Sequence, residues 1–510
     1  MIWAELARIA LIGTDQTTIP ENVMDLLAAR GMDTTSSADQ LLLDSAAVFN
    51  QMRKAGLVIP TYQGDSPIKM DIPKNSKICS YKVIRMLRKI LDGTHPHALN
   101  EFLLHMVKQD KQLPPEFLPE IFEVSLKDQA MWEILSDRLD ERARWLIRQN
   151  PEWEGLALPT DGLDWYSTGP SGKKLLFDHL HRSEPEQAIA LLETEWPLLD
   201  VKLKLEFLAV LGKSLTVDDE PFLNDLKNDR RKEVRLKARD LLASLPDSTF
   251  AQDLYSLAKP FFEAHDQLIV SIRLPDELPT ATEDYGIDLT KAKKKYASGV
   301  KASWLAAVVS RIAPSFWEQY LSAKPRNIIA AFYESHLGDV LGQALVTAVI
   351  RHQNAEWAEQ LVRHEVGRGL PNTWPNTDVR KVMKLLSPAA FNDIAYYYLQ
   401  YNGSMLEEEN HIVTRMLLLR EFVWEERLSR MVIEGFRQWM AETQTFFWNL
   451  LHYQRILESA AYNVPPTLID AFSRDWPYNS PVWPRWEAAV QRFLKTLSFR
   501  KDMITALREK

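Results

Sequence analysis

The sequence predicts an all-α protein, a solenoid of helical hairpins with a short irregular or β-containing elbow near residues 268–290. Three observations carry this. Glycine is scarce, 18 in 510 residues, which suits helices better than turn-rich β structure. Val234, Ala238, Leu241, Leu242 and Leu245 lie on one helical face, and 33 residues earlier Val201, Leu205, Leu208 and Ala209 repeat the first four offsets, ending at Gly212. The charged letters repeat as well, DVKLK from Asp200 matching EVRLK from Glu233. The preceding helices also correspond. SEPEQAIALL starts at Ser183 and DEPFLNDL at Asp219, 36 residues on, each with a capping residue, a glutamate and a first-turn proline. Two antiparallel helices per roughly 35 residues make a unit that hides its apolar face only against a neighbour.

The elements follow in order. An N-terminal helical region covers 1–160, the repeats 161–265, a linker or elbow 266–298, and a C-terminal helical region 299–510. MIWAELARIALIGTDQ carries Glu5 and Arg8 inside its apolar stretch and reads as an amphipathic helix, not a signal peptide. ADQLLLDSAAVFNQMRKAG continues the helical spacing, and LVIPTYQGDSPIKMDIPKNSK, with three prolines, reads as a long surface loop. Helices resume at ICSYKVIRMLRKILDG and HALNEFLLHMVKQ. Pro114 and Pro115 mark a helix entry, and MWEILSDRLDERARWLIRQ reads as one long helix ending before Pro151. LIVSIRL, from Leu268, is the best strand candidate. Beyond Val300 helical patterns return, with two long helices expected around 405–442 and 443–462. Trp304, Trp317, Trp357, Trp439 and Trp448 fall in those patterns and read as core. Trp476, Trp483 and Trp486, among prolines, read as a cap over the last helices or as an exposed recognition surface.

The bulk composition narrows the function classes. A net charge of −8 speaks against a general nucleic-acid coat. Cys79 is the only cysteine, which leaves no intramolecular disulfide and no cysteine-rich zinc site and fits a reducing compartment. No apolar run reaches the roughly 18 residues of a membrane span. These readings point to the cytoplasm.

The turn at Asp229, followed by VR and LLASLP, resembles a HEAT repeat. LARIALIGTDQ with its Trp3-Ala-Glu lead, RARWLIRQNPEW at 142–153 and the hairpin at 219–246 together resemble an uncharacterised bacterial helical family. That family is typically encoded beside MoxR-type AAA+ ATPases and von Willebrand A-domain proteins. The resemblance brings no catalytic residues. It implies an ATPase-based chaperone or assembly system as partner.

No catalytic, cofactor or metal motif stands in the chain. GPSGKK at 169–174 lacks the first glycine and the final Ser or Thr of a phosphate loop, and reads as a loop before a helix. His364-Glu365 lacks the second zinc histidine, because position 368 is Arg368. The pairs His95/His97 and His179/His181 read as solvated histidines. A motif search does not reach an active site assembled from distant residues, and a hydrolase spanning the elbow is the least favoured class. The basic segments are more informative. Arg231, Arg235 and Arg239 recur every four residues as a ridge, and KAKKK ends in Lys293, Lys294 and Lys295. These six are the candidate partner-binding residues. The expected function is a non-catalytic scaffold or adaptor for a protein partner, with no cofactor. A nucleic-acid-binding solenoid using the ridge is the alternative.

Overall fold

The computed structural model describes residues 2–55, 79–157, 164–265, 269–278, 282–296, 298–369, 372–402, 411–443 and 450–509. The proline-rich stretch after Gly56 and Trp448 lie outside these residues. The chain forms two compact units, Met1–Lys74 and Asn75–Lys510.

In the first unit, helices Ile2–Ile12, Glu21–Ala28 and Ala38–Ala55 bury Leu6, Ile9, Val23, Leu27 and Leu41. The Trp3 and Phe49 rings stack 6.0 Å apart.

Among the described residues, the second unit is helical apart from one antiparallel ribbon, Phe262–His265 with Ile269–Ile272, in which Phe262 pairs with Ile272. The strand expected from LIVSIRL is there. Its partner strand replaces the end of the expected repeat array, which therefore closes with helix Thr249–Ala258.

The stretch from Met131 to Gln149 is not one helix. Gln129–Leu135 ends, a 3-10 turn follows, and Asp140 caps a new helix, Glu141–Gln149, by accepting from Ala143 N at 2.8 Å. The apolar period runs across the break, so spacing alone conceals it. The same holds for 405–442, where the described part contains two helices, Ile412–Leu417 and Glu426–Glu442.

Hairpins stack as expected through Pro170–Ser183, Pro185–Glu195, Val201–Leu211, Glu220–Leu226 and Lys232–Leu242. Their register is shifted from the letter match. Lys204, Phe207, Leu208 and Leu211 are buried in helix Val201–Leu211, and Ala238, Leu241, Leu242 and Leu245 in and just beyond helix Lys232–Leu242, an offset of 34, while Ala209 is exposed. One residue is about 100° of helix rotation, and here burial of Phe207 decides it. Lys204 joins this face because its stem packs inward, with Nζ 5.0 Å from the Trp196 ring centroid and 3.9 Å from Asp229.

The helix starts differ in detail too. Ser183 is the last residue of its helix and donates back to the His179 carbonyl. Asp219 closes a capping box, accepting from the Thr216 N–H at 2.8 Å. Asp200 is a true N-cap, accepting from Leu203 N at 2.8 Å.

The last helix, Trp483–Arg508, closes the second unit on itself. Its first half buries Trp483, Trp486, Val490 and Phe493 in the large core that runs from Ala251 to Leu497. Its second half buries Phe499, Met503 and Leu507 against helices Tyr81–Leu91 and Leu99–Lys108. Arg500, 4% exposed, locks this contact. It donates Nε and Nη2 to Glu101 at 2.6 and 2.7 Å, and Nη1 to the Ala461 and Val464 carbonyls at 2.7 and 2.8 Å. Trp476, Trp483 and Trp486 are thus buried, which removes the exposed recognition surface and leaves the cap. The cap joins the end of the unit to its beginning.

Candidate functional site

Three groups of polar residues stand out: a buried joint, a filled helix N-terminus and a basic cavity.

The joint centres on His181, which is buried, not solvated. Its Nδ1 lies 2.8 Å from Ser214 Oγ and its Nε2 2.8 Å from Asp219 Oδ1, with the His181 and Asp219 side chains fully enclosed. Phe177 stacks on the ring. Serine, histidine and aspartate can form a nucleophilic relay. Here the histidine and aspartate ends are sealed, and the second oxygen of Asp219 serves Thr216. The atoms bind one hairpin to the next. His95 and His97 also pack at a joint, His95 stacked on Phe499 at 4.1 Å and His97 against Arg420 and Tyr462.

The phosphate-loop-like stretch is not a loop before a helix: Gly169 is the N-cap and residues 170–174 form the first turn of helix Pro170–Ser183. Its backbone donors are taken internally, since Glu154 accepts from Gly169 N at 2.8 Å and from Gly172 N at 3.2 Å. A carboxylate of the chain occupies the place an anion takes at a helix N-terminus. A Cβ on Gly172 would lie 2.2 Å from Thr168 Cγ2, so only glycine fits there.

The cavity, about 460 Å³, lies where the repeats meet the elbow. Helix Lys232–Leu242 turns Glu233, Lys237 and Asp240 toward it, one face at spacings of three and four. Helix Leu289–Tyr296, capped by Asp288, brings Lys291 and Lys295. Arg311 follows helix Val300–Val309, and Arg351 ends helix Gly338–Arg351 beside Thr347.

Two guanidinium groups share one carboxylate. Arg351 Nη2 is 2.6 Å from Asp240 Oδ1, and Arg311 Nη2 is 3.7 Å away. Burial alone would raise the Asp240 carboxyl; Arg351 and Arg311 overcome it and hold it at about 2. Burial, with Arg351 beside it, lowers Arg311 to about 10, so it stays charged at neutral pH. Arg351 spends its remaining donors on the Ser310 and Asp240 carbonyls. Arg311 donates Nη1 to the Ala307 carbonyl and Nη2 to the Gly286 carbonyl, while its Nε is buried without a partner. Gly286 sits at φ +71°, with its missing Cβ 3.1 Å from Arg239 Cβ, so this close approach requires glycine.

Of the six residues singled out in the sequence, only Lys295 lines the cavity, donating to Thr347 Oγ1 at 2.8 Å. Lys293 and Lys294 are exposed on the same helix. Arg239 is buried and donates to the Lys227 carbonyl and to Asp284. Arg235 donates to the Asp229 carbonyl at 3.0 Å, and Arg231 is half-buried, its N–H donating to the Asp229 carboxylate. The arginine ridge thus runs along the inter-helix turn and the elbow. Sequence reading missed Arg311 and Arg351 because a single arginine after an apolar helix reads as a partner for the helix dipole.

Among the described residues, no cluster of His, Cys, Asp and Glu could hold a metal ion, and no helix is long and apolar enough to cross a membrane. No curated protein and no solved structure matches this chain at a significant level. A family model does match, over residues 5–507 of the 510, and the chain therefore belongs to this family of unknown function, DUF5691.

Proposed function

We propose that this protein is a non-catalytic scaffold that binds a protein partner in the cytoplasm. The partner we propose is an AAA+ ATPase of the MoxR type, acting with von Willebrand A-domain proteins. One observation carries the reading. The buried polar groups most suited to chemistry are used as joints between helices: His181 with Ser214 and Asp219, Glu154 with Gly169 and Gly172, and Arg500 with Glu101. A frame fixed in this way presents its outer surface with little conformational freedom left to lose on binding. Tying the last helix to the first helices of the unit adds to that rigidity. The family resemblance supplies the ATPase.

The test is co-expression of the full chain with a MoxR-type ATPase from the same genome, followed by size-exclusion chromatography with and without ATP. Co-elution that persists as salt rises supports the scaffold reading. Separate elution under both nucleotide conditions removes the proposed partner. Binding to nucleic acid that weakens steeply with salt would favour the alternative reading.

A further inference from the structure

We propose that the cavity between helices Lys232–Leu242, Leu289–Tyr296 and Gly338–Arg351 binds a small phosphate-bearing anion. The inference stands apart from the scaffold reading and needs no partner protein.

Charge carries it first. Arg311 and Arg351 are both largely buried, with side chains 14% and 13% exposed, and the one carboxylate between them is Asp240. Two buried cations on one anion leave an excess positive charge in a place where charge is costly unless paired. Three lysines add to it. Lys295 is held by Thr347, while the side chains of Lys237 and Lys291 make no hydrogen bond or ion pair among the described residues. Glu233 and Asp288 also face the cavity, and Asp288 is engaged in capping its helix.

Geometry carries it second. The five cations come from four separate segments and converge on one space, which a surface patch of solvated lysines does not do. The volume of about 460 Å³ falls within the range of small-molecule sites, roughly 300–1,000 Å³. Arg311 lines the cavity, and its buried Nε has no acceptor within the protein, so the guanidinium there is not fully satisfied by the fold. Tyr296 and Leu236 give the cavity an apolar side, so the anion can carry an organic part.

The experiment is calorimetric titration of the full chain with inorganic pyrophosphate at constant ionic strength. Lys237→Gln with Lys291→Gln is the test variant, since neither side chain holds the fold together. Lys293→Gln with Lys294→Gln, on the same helix but outside the cavity, is the control. Pyrophosphate binding that the test variant weakens on the order of tenfold or more, and the control leaves within about twofold, supports the site. Equal weakening in both variants reports diffuse charge attraction and overturns it. No heat of binding at millimolar pyrophosphate also overturns it. So does binding of a single-stranded oligonucleotide without binding of pyrophosphate.

Discussion

The hairpin array at 170–258 and the helices beyond 300 solve the same problem differently. In the array, helices of 7 to 14 residues bury modest apolar faces, and fixed polar contacts hold each hairpin to the next. Beyond 300, helices reach 26 residues and share one aromatic-rich core in which Trp304, Trp317, Trp357, Trp424 and Trp486 are fully buried. The array depends on neighbours close in sequence, so its period is visible in the letters. The later region depends on contacts far apart in sequence, and its helices show no comparable repeat. Polar joints fix the rotation of the short hairpin helices, whereas the longest helix, Trp483–Arg508, combines packing over many turns with a joint of its own at Arg500.

The largest expected effect tests the long-range closure. Arg500→Ala leaves Glu101 and two carbonyls without their donor, and should cost about 3–5 kcal/mol in urea unfolding followed by circular dichroism. A loss under about 1 kcal/mol would show that the terminal helix is not the clamp described here. A double-mutant cycle with Glu101→Gln separates the pair energy from the carbonyl bonds.

The next effect is a pH limb in the later region. Burial, with Arg351 nearby, lowers His352 from 6.5 to about 4. A lowered folded pKa means that stability is complete above pH 6.5 and is lost as pH falls towards 4. The loss should be on the order of 3 kcal/mol, read from urea midpoints across that range, and His352→Gln should flatten it.

The array should respond more weakly to single changes. Asp219→Ala strands His181 Nε2 and the Thr216 N–H inside the protein, and about 2 kcal/mol of stability should go with them. If thermal melts show Asp219→Ala to be neutral, the polar joint does not hold the hairpins. Glu154→Ala removes the acceptor at the start of helix Pro170–Ser183 and should cost about 1 kcal/mol by the same measurement. Were Glu154→Ala to exceed Arg500→Ala, the contrast between the two regions would be reversed.

The repeat was legible because its period is local, but the letters missed its phase by one residue. Matching DVKLK to EVRLK aligns surface charges, whereas burial follows Phe207 and Leu241. The strand from LIVSIRL was legible by composition; its partner at Phe262–His265 was hidden behind a helix pattern. The basic cavity was legible only in Lys295. Arg239 looked like surface because a helical ridge says nothing of the elbow packed over it.

What the sequence determined alone was the helical class, the hairpin repeat and one strand of the ribbon. Each of these follows from a contrast between apolar and polar residues a few positions apart, which the chain expresses before it folds. Tertiary structure decided which faces turned inward, that the last helix returns to the early ones, and that five cations from four segments meet in one cavity. Those outcomes depend on packing between residues as much as 400 positions apart, such as Arg500 and Glu101, and no local pattern encodes such a meeting.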